Sequence, residues 1–243
     1  MLARAQPVDG YRVQDTDRFV AHGHRGVFDK EMLGVRESIV RMGGLAADAI
    51  DNAVAALARQ DVDAAAAVVL GDEAINSAQT ELTSMIVTII ATQSPVAGDL
   101  RFILSLAHVA YELERIGDHA AGVAKQVAKL GSASGVAGAA GAAGLDRMGE
   151  LASSTLHGVL LALIELDPEE ARRVASQDDE IDRMYHAYFE RSLDRMRVEP
   201  SWVDAGAHLL FAAKDLERIG DRVTNIAEEV VFLATGEIED LNP

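Results

Sequence analysis

Two glutamate–aspartate pairs, Glu114 with Asp118 and Glu217 with Asp221, are the residues of this chain best suited to do chemistry. Each pair lies in the same six residues, Leu-Glu-Arg-Ile-Gly-Asp, at positions 113–118 and again at 216–221. On a helix, positions i and i+4 share a face, so each copy projects two carboxylates in one direction. Such a pair is either half of a cation site or part of a surface salt-bridge pattern. A further acidic cluster, Asp178-Asp179-Glu180-Ile181-Asp182, contains another i, i+4 pair, Asp178 and Asp182. Its counterpart in the first half reads Asp72-Glu73-Ala74-Ile75-Asn76, so that pair becomes Asp72 and Asn76. If helices turn these clusters toward the hexapeptides, several carboxylates converge once in each half. Oxygen donors without cysteine suit a hard or borderline divalent cation such as Mg²⁺, Mn²⁺ or iron.

The spacing also fits ordinary helix ion pairs. Glu112–Arg115, Arg115–Asp118, Asp215–Arg218 and Arg218–Asp221 are all i, i+3, each worth ~0.2–0.5 kcal/mol. Two observations move the balance toward a site. Gly117 and Gly220 stand inside predicted helices, at about 1 kcal/mol each relative to alanine. A salt-bridge face has no need of glycine; close helix approach or room for an ion does. The hexapeptide is also identical in both halves, although the halves differ extensively elsewhere.

The elements that must position these acids are helices. Alanine is abundant, aromatic residues make up 5% and only five residues are proline, a balance that favours helix over strand. Residues 1–26 mix Pro7 and three glycines with scattered charges and read as a flexible extension. Apolar residues then recur at helical spacing. A first helix is predicted over about 28–59, followed by a turn at Gln60-Asp61 with Asp61 or Asp63 as the next N-cap. A second helix stops at Ser94-Pro95, and a third runs over about 96–130. Residues 131–144, rich in glycine, serine and alanine, read as a linker. The pattern then restarts: Asp61 answers Asp167, Val68 answers Val174 and Asp72 answers Asp178, each 106 positions on. The hexapeptides are 103 apart, so the turn before the third helix is shorter in the second half. Asp167-Pro168-Glu169-Glu170 is a strong helix start. The predicted fold is all-α, with two tandem three-helix bundles related by internal duplication over 27–130 and 145–236 and a tail over 237–243.

Bulk properties exclude several classes. A net charge of −17 repels a phosphate backbone and argues against nucleic-acid binding. With no cysteine there is no disulfide, thiolate zinc site or cysteine nucleophile. The longest apolar runs, 85–91 and 159–164, are too short to span a bilayer, and the expected location is cytoplasmic. None of the seven histidines has a glutamate three residues earlier, against the Glu-x-x-His pattern of di-iron bundle enzymes. There is no phosphate-binding glycine loop and no nucleophile context around serine or histidine.

Over about residues 28–236, the chain resembles the PhoU family of phosphate-signalling proteins. The resemblance is carried by Asp99-Leu100-Arg101, by Glu114-Arg-Ile-Gly-Asp118-His119 and by Glu217-Arg-Ile-Gly-Asp221, within a six-helix duplication. It implies metal ligation by Glu114, Asp118, Asp178, Asp182, Glu217 and Asp221, with Asp72 as the first-half counterpart of Asp178. It also implies a non-enzymatic negative regulator of phosphate uptake and of the phosphate-starvation response. Such a regulator couples the ATPase subunit of a phosphate ABC transporter to a sensor histidine kinase, meets the membrane through those partners only, and forms a homodimer. The rival classes are a metal-dependent enzyme using the carboxylates and a metal-free helical scaffold. One departure stands out. The family continues the motif with Asn and Glu one and two turns on, kept here as Asn225 and Glu228, but the first half has Gly122 and Lys125. A lysine beside a cation site is unfavourable, so the first site is expected to be weaker or empty.

Overall fold

The computed structural model describes residues 26–132 and 142–242; residues 1–25 of the predicted extension and most of the predicted linker lie outside them, and Gly26 already belongs to the first helix. Among the described residues all regular structure is helical. The first half consists of α1 (Gly26–Arg59), α2 (Val62–Gln93) and α3 (Gly98–Ser132). Of the two predicted caps, Asp61 starts α2, its side chain accepting from the Ala64 N–H at 3.0 Å. Ser94 ends α2 in the left-handed region, and α3 begins two residues later than predicted, after Pro95.

In the second half α4 spans Leu145–Glu165. Asp167 then caps α5 (Pro168–Ala175), accepting from the N–H groups of Glu169 and Glu170. The middle helix differs from its first-half counterpart, being interrupted at Ser176-Gln177 before α6 (Asp178–Val198). At the break the Ser176 hydroxyl donates to the Arg173 carbonyl at 2.8 Å. Serine competes in this way with the helix's own ladder. Asp178, Asp179 and Glu180 therefore open a new helix at its positive end, whereas Asp72 lies well inside α2. A 3₁₀ turn (Pro200–Trp202) leads into α7 (Val203–Thr235), which carries the second hexapeptide.

The two bundles share one core. Among the described residues α3 and α7 make the most extensive helix–helix contact, and α1 also packs on α4. Leu113, Ile116, Leu216 and Ile219 of the two hexapeptides are all buried. The α3–α7 seam is antiparallel, with polar groups paired across it: His119 with Asp215 at 3.1 Å, Glu112 with Arg222 at 3.3 Å, and His108 with Glu229 at 2.6 Å. The first two pairs are related by the duplication. So are Gly43, which leaves room for Leu160, and Gly149, which leaves room for Val54 at the α1–α4 crossing. Among the described residues no helix is long and apolar enough to cross a membrane.

Candidate metal centre

The duplication sets α2 beside α3 and α6 beside α7, so each hexapeptide faces the acids of its own middle helix. Gly117 and Gly220 are what allow this approach. A Cβ on Gly220 would overlap the Asp178 carboxylate and crowd Ile181. A Cβ on Gly117 would meet the matching pair, Ile75 at 2.8 Å and Asp72 Oδ1 at 3.2 Å. Of the two reasons for an in-helix glycine, close packing of a buried acid is the one observed.

In the second half Asp178 is 6% exposed, and its Oδ1 has no hydrogen-bond partner. Burial, then the charges of Asp221, Asp182, Glu217 and Asp179, push its carboxyl up to about 7. Glu217 is mostly buried; Lys214 binds its Oε1, while Oε2 is buried without a hydrogen bond, the nearest guanidinium being that of Arg218 at 3.8 Å. Asp221 is held by Arg218 at 3.1 Å. Asp182 is half-buried one turn along α6 from Asp178. The Lys214 ammonium also lies over the Tyr185 ring, at 5.1 Å.

The first half repeats the plan with less charge. Burial and then Asp118 raise the Asp72 carboxyl, while Asn76 and Lys125 act in the opposite direction. Burial and Asp118 also raise Glu114, with Arg115 opposing them. Asp72 Oδ1 and Glu114 Oε2 are buried without hydrogen bonds, although Glu114 Oε2 lies 3.2 Å from the Arg115 guanidinium. Asn76 donates a long bond, 3.4 Å, to Asp72, and Arg115 holds Asp118 at 2.9 Å. Lys125 acts on Asp72 as its position in the sequence predicts. Gly122 has a different role, because it leaves the space that Asp215 of α7 fills. His119 is engaged by that same Asp215.

The ion-pair reading of the sequence is partly realised. Both Arg–Asp pairs of the hexapeptides form, but Glu112 and Asp215 turn across the seam instead. As the side chains stand, no three His, Asp or Glu residues among those described are gathered closely enough to hold an ion. Like charges repel, and the acids pair instead with cations: Arg115 with Glu114 and Asp118, Arg218 with Glu217 and Asp221, and Lys214 with Glu217. What fits a divalent cation is the donor chemistry. Each half presents two buried carboxylate oxygens without hydrogen bonds, one from the middle helix and one from the hexapeptide. Burial first, and neighbouring acids second, hold the carboxyls of Asp72, Glu114 and Asp178 above the ordinary carboxylate range.

Gly220→Ala is expected to displace the Asp178 carboxylate and to weaken Mn²⁺ binding in the second half by tenfold or more, a change comparable to losing a partner that orients a ligand. Gly117→Ala meets mainly the flexible end of Ile75 and should be milder. Calorimetric titration compares the two, and equal effects would count against this account of the glycines.

Three groups here carry no signal in the sequence. Lys214 is an ordinary helix lysine by spacing, and Glu239 and Asn242 belong to a short tail without periodicity, yet all three end beside the second site.

The pattern of the PhoU domain matches residues 39–127 and again 145–230. A phosphate-specific transport system accessory protein PhoU homolog of Caulobacter vibrioides is 38% identical over 210 residues, covering 86% of this chain and 90% of that protein. The homolog of the same name from Clostridium acetobutylicum is 33% identical over 219 residues, covering 90% and 99%. The crystal structure of PhoU from Pseudomonas aeruginosa superposes with a TM-score of 0.81 at 32% identity, over 86% of this chain and all of that one. The phosphate transport system regulatory protein PhoU from Streptococcus pneumoniae gives 0.81 at 31% identity, over 88% and 99%. The repeated domain coincides with the two halves that carry the acidic sites, and with relatives matched along most of their length the chain belongs to the PhoU family.

Proposed function

We propose that this protein is a non-enzymatic, cytoplasmic regulator of phosphate uptake and of the phosphate-starvation response, acting by docking. Its partners in this reading are the ATPase subunit of the phosphate ABC transporter and a sensor histidine kinase, and it reaches the membrane only through them. The role in phosphate transport is supported by relatives named as accessory proteins of that system. The observation that supports the docking mechanism is the pair of acidic clusters at α2–α3 and α6–α7, each with two buried carboxylate oxygens without a hydrogen bond. Asp178, Asp182, Glu217 and Asp221 would hold a divalent cation in the second half, and Asp72, Glu114 and Asp118 in the first. Iron, Mn²⁺ and Mg²⁺ all suit this donor set. A cation supplies the positive charge that lets the acids of adjacent helices converge. The chain's own part is to fix those helices through the shared core, and to present a surface whose charge depends on occupancy. In this reading the protein acts as a homodimer.

Co-purification from phosphate-replete and phosphate-starved cells tests the role. Association with the transporter ATPase or the kinase is expected, with its strength changing between conditions. No association in either condition would sink the proposal.

A further inference from the structure

Beyond the end of α7, residues 237–242 turn back as a strap against the second acidic cluster. Three contacts fix it. Arg172 of α5 grips Glu239 through two bonds, Nε to Oε2 at 2.9 Å and Nη2 to Oε1 at 2.6 Å. The backbone N–H of Leu241 donates to Glu228 Oε1 at 2.9 Å. The side-chain amide of Asn242 donates to Asp178 Oδ2 at 3.0 Å. Leu241 also packs on the core. Between strap and α7 is an open cleft of about 470 Å³ whose lining includes Asp221, Asn225, Glu228, Glu239, Asp240 and Asn242.

The two strap donors fall on Asp178 and on Glu228, the acid two turns beyond Asp221. Each takes one oxygen of its carboxylate. Asp178 keeps its other oxygen, Oδ1, buried and without a hydrogen bond. A carboxylate tied through one oxygen is fixed in rotation while the second stays available, which is how outer hydrogen bonds strengthen metal ligands. In the first half, Asp72 Oδ2 is met only weakly, by Asn76 of its own helix.

We infer that the C-terminal strap is a clamp for the second site. Asn242 and the Leu241 N–H are positioning groups that hold Asp178 and Glu228 toward a divalent cation, and Arg172 anchors the strap through Glu239. This rests on the metal-site reading proposed above. Because linkage is reciprocal, a strap that raises cation affinity is itself held more tightly when the cation is bound. Occupancy of the site is thereby carried to an exposed segment that a partner can read.

The test combines Mn²⁺ calorimetry with hydrogen exchange of residues 237–242, on the full chain, a truncation after Gly236, Asn242→Ala and Arg172→Gln. Truncation is expected to weaken second-site binding by about 10–100-fold, the range for partners behind metal ligands. Asn242→Ala and Arg172→Gln should each give part of that loss, and because Asn242→Ala leaves Asp178 Oδ2 unmet it should also lower the metal-free melting temperature. Mn²⁺ should slow exchange of the Leu241 amide in the full chain. Unchanged affinity on truncation overturns the clamp, and so does faster strap exchange on adding Mn²⁺, which would make the strap a competitor. If binding is lost in Asp221→Asn but kept in the truncated chain, the clamp alone is wrong. If the full chain binds no Mn²⁺, or Asp221→Asn leaves binding intact, the site reading fails and the clamp with it.

Discussion

Asp221→Ala is expected to cut Mn²⁺ affinity by at least about 100-fold, above what loss of an outer partner costs, whereas Asp118→Ala changes total binding far less. The two aspartates hold the same place in the same hexapeptide, and each is paired with the arginine three residues before it. Their surroundings decide the difference. Around Asp221 stand the buried Asp178, with Asp182, Glu217, Asn225 and Glu228. Around Asp118 the middle helix offers one acid and an amide, and Lys125 offsets the charge of Asp72. The second site therefore holds more negative charge to be neutralised, and removing a carboxylate from it forfeits more. Calorimetry and metal analysis of protein purified without chelator measure this directly. Equal losses would show that Lys125 and Asn76 do not weaken the first site. Full retention in both variants would mean that the acids are structural and the protein is a metal-free scaffold.

Asp178→Asn should raise the stability of the metal-free protein while abolishing cation binding in the second half. Asp178 is buried among four other acids with one oxygen unmet. An unsatisfied buried polar atom costs about 1–3 kcal/mol, and a charged one more. An amide of the same shape carries no charge, still accepts from Asn242, and offers the surrounding carboxylates a donor. A gain on the order of 1–3 kcal/mol in urea unfolding of the metal-free protein follows, together with the loss of the extra stability that saturating Mn²⁺ gives the native protein. Destabilisation of the metal-free protein would show that Asp178 is kept for packing rather than for a ligand. Stabilising a protein by neutralising a buried acid is the usual sign that function, not folding, retains it.

The same residues show how far the chain could be read before it was seen folded. Helix type, the duplication and most helix ends were legible because they rest on local rules: apolar periodicity, Asp61 and Asp167 as caps, Pro95 as a stop. The break at Ser176-Gln177 was not, since Leu70-Gly71 at the matching place continues its helix, and neither dipeptide is a strong breaker. The acids of the site were found by spacing, because i, i+4 repetition is a property of one helix. Gly122 was assigned to a missing ligand, although the space it leaves is filled by Asp215 from the other half.

By itself the sequence determined an all-α duplicated chain with two unequal acidic clusters, since helical period and charge are written locally. Only the tertiary structure decided that the halves share a core through α3 and α7, that glycine admits Asp178 to a buried position, and that residues 237–242 return to the second cluster. Those outcomes depend on which surfaces meet across 64 to 121 residues of chain, and no local pattern encodes such a meeting.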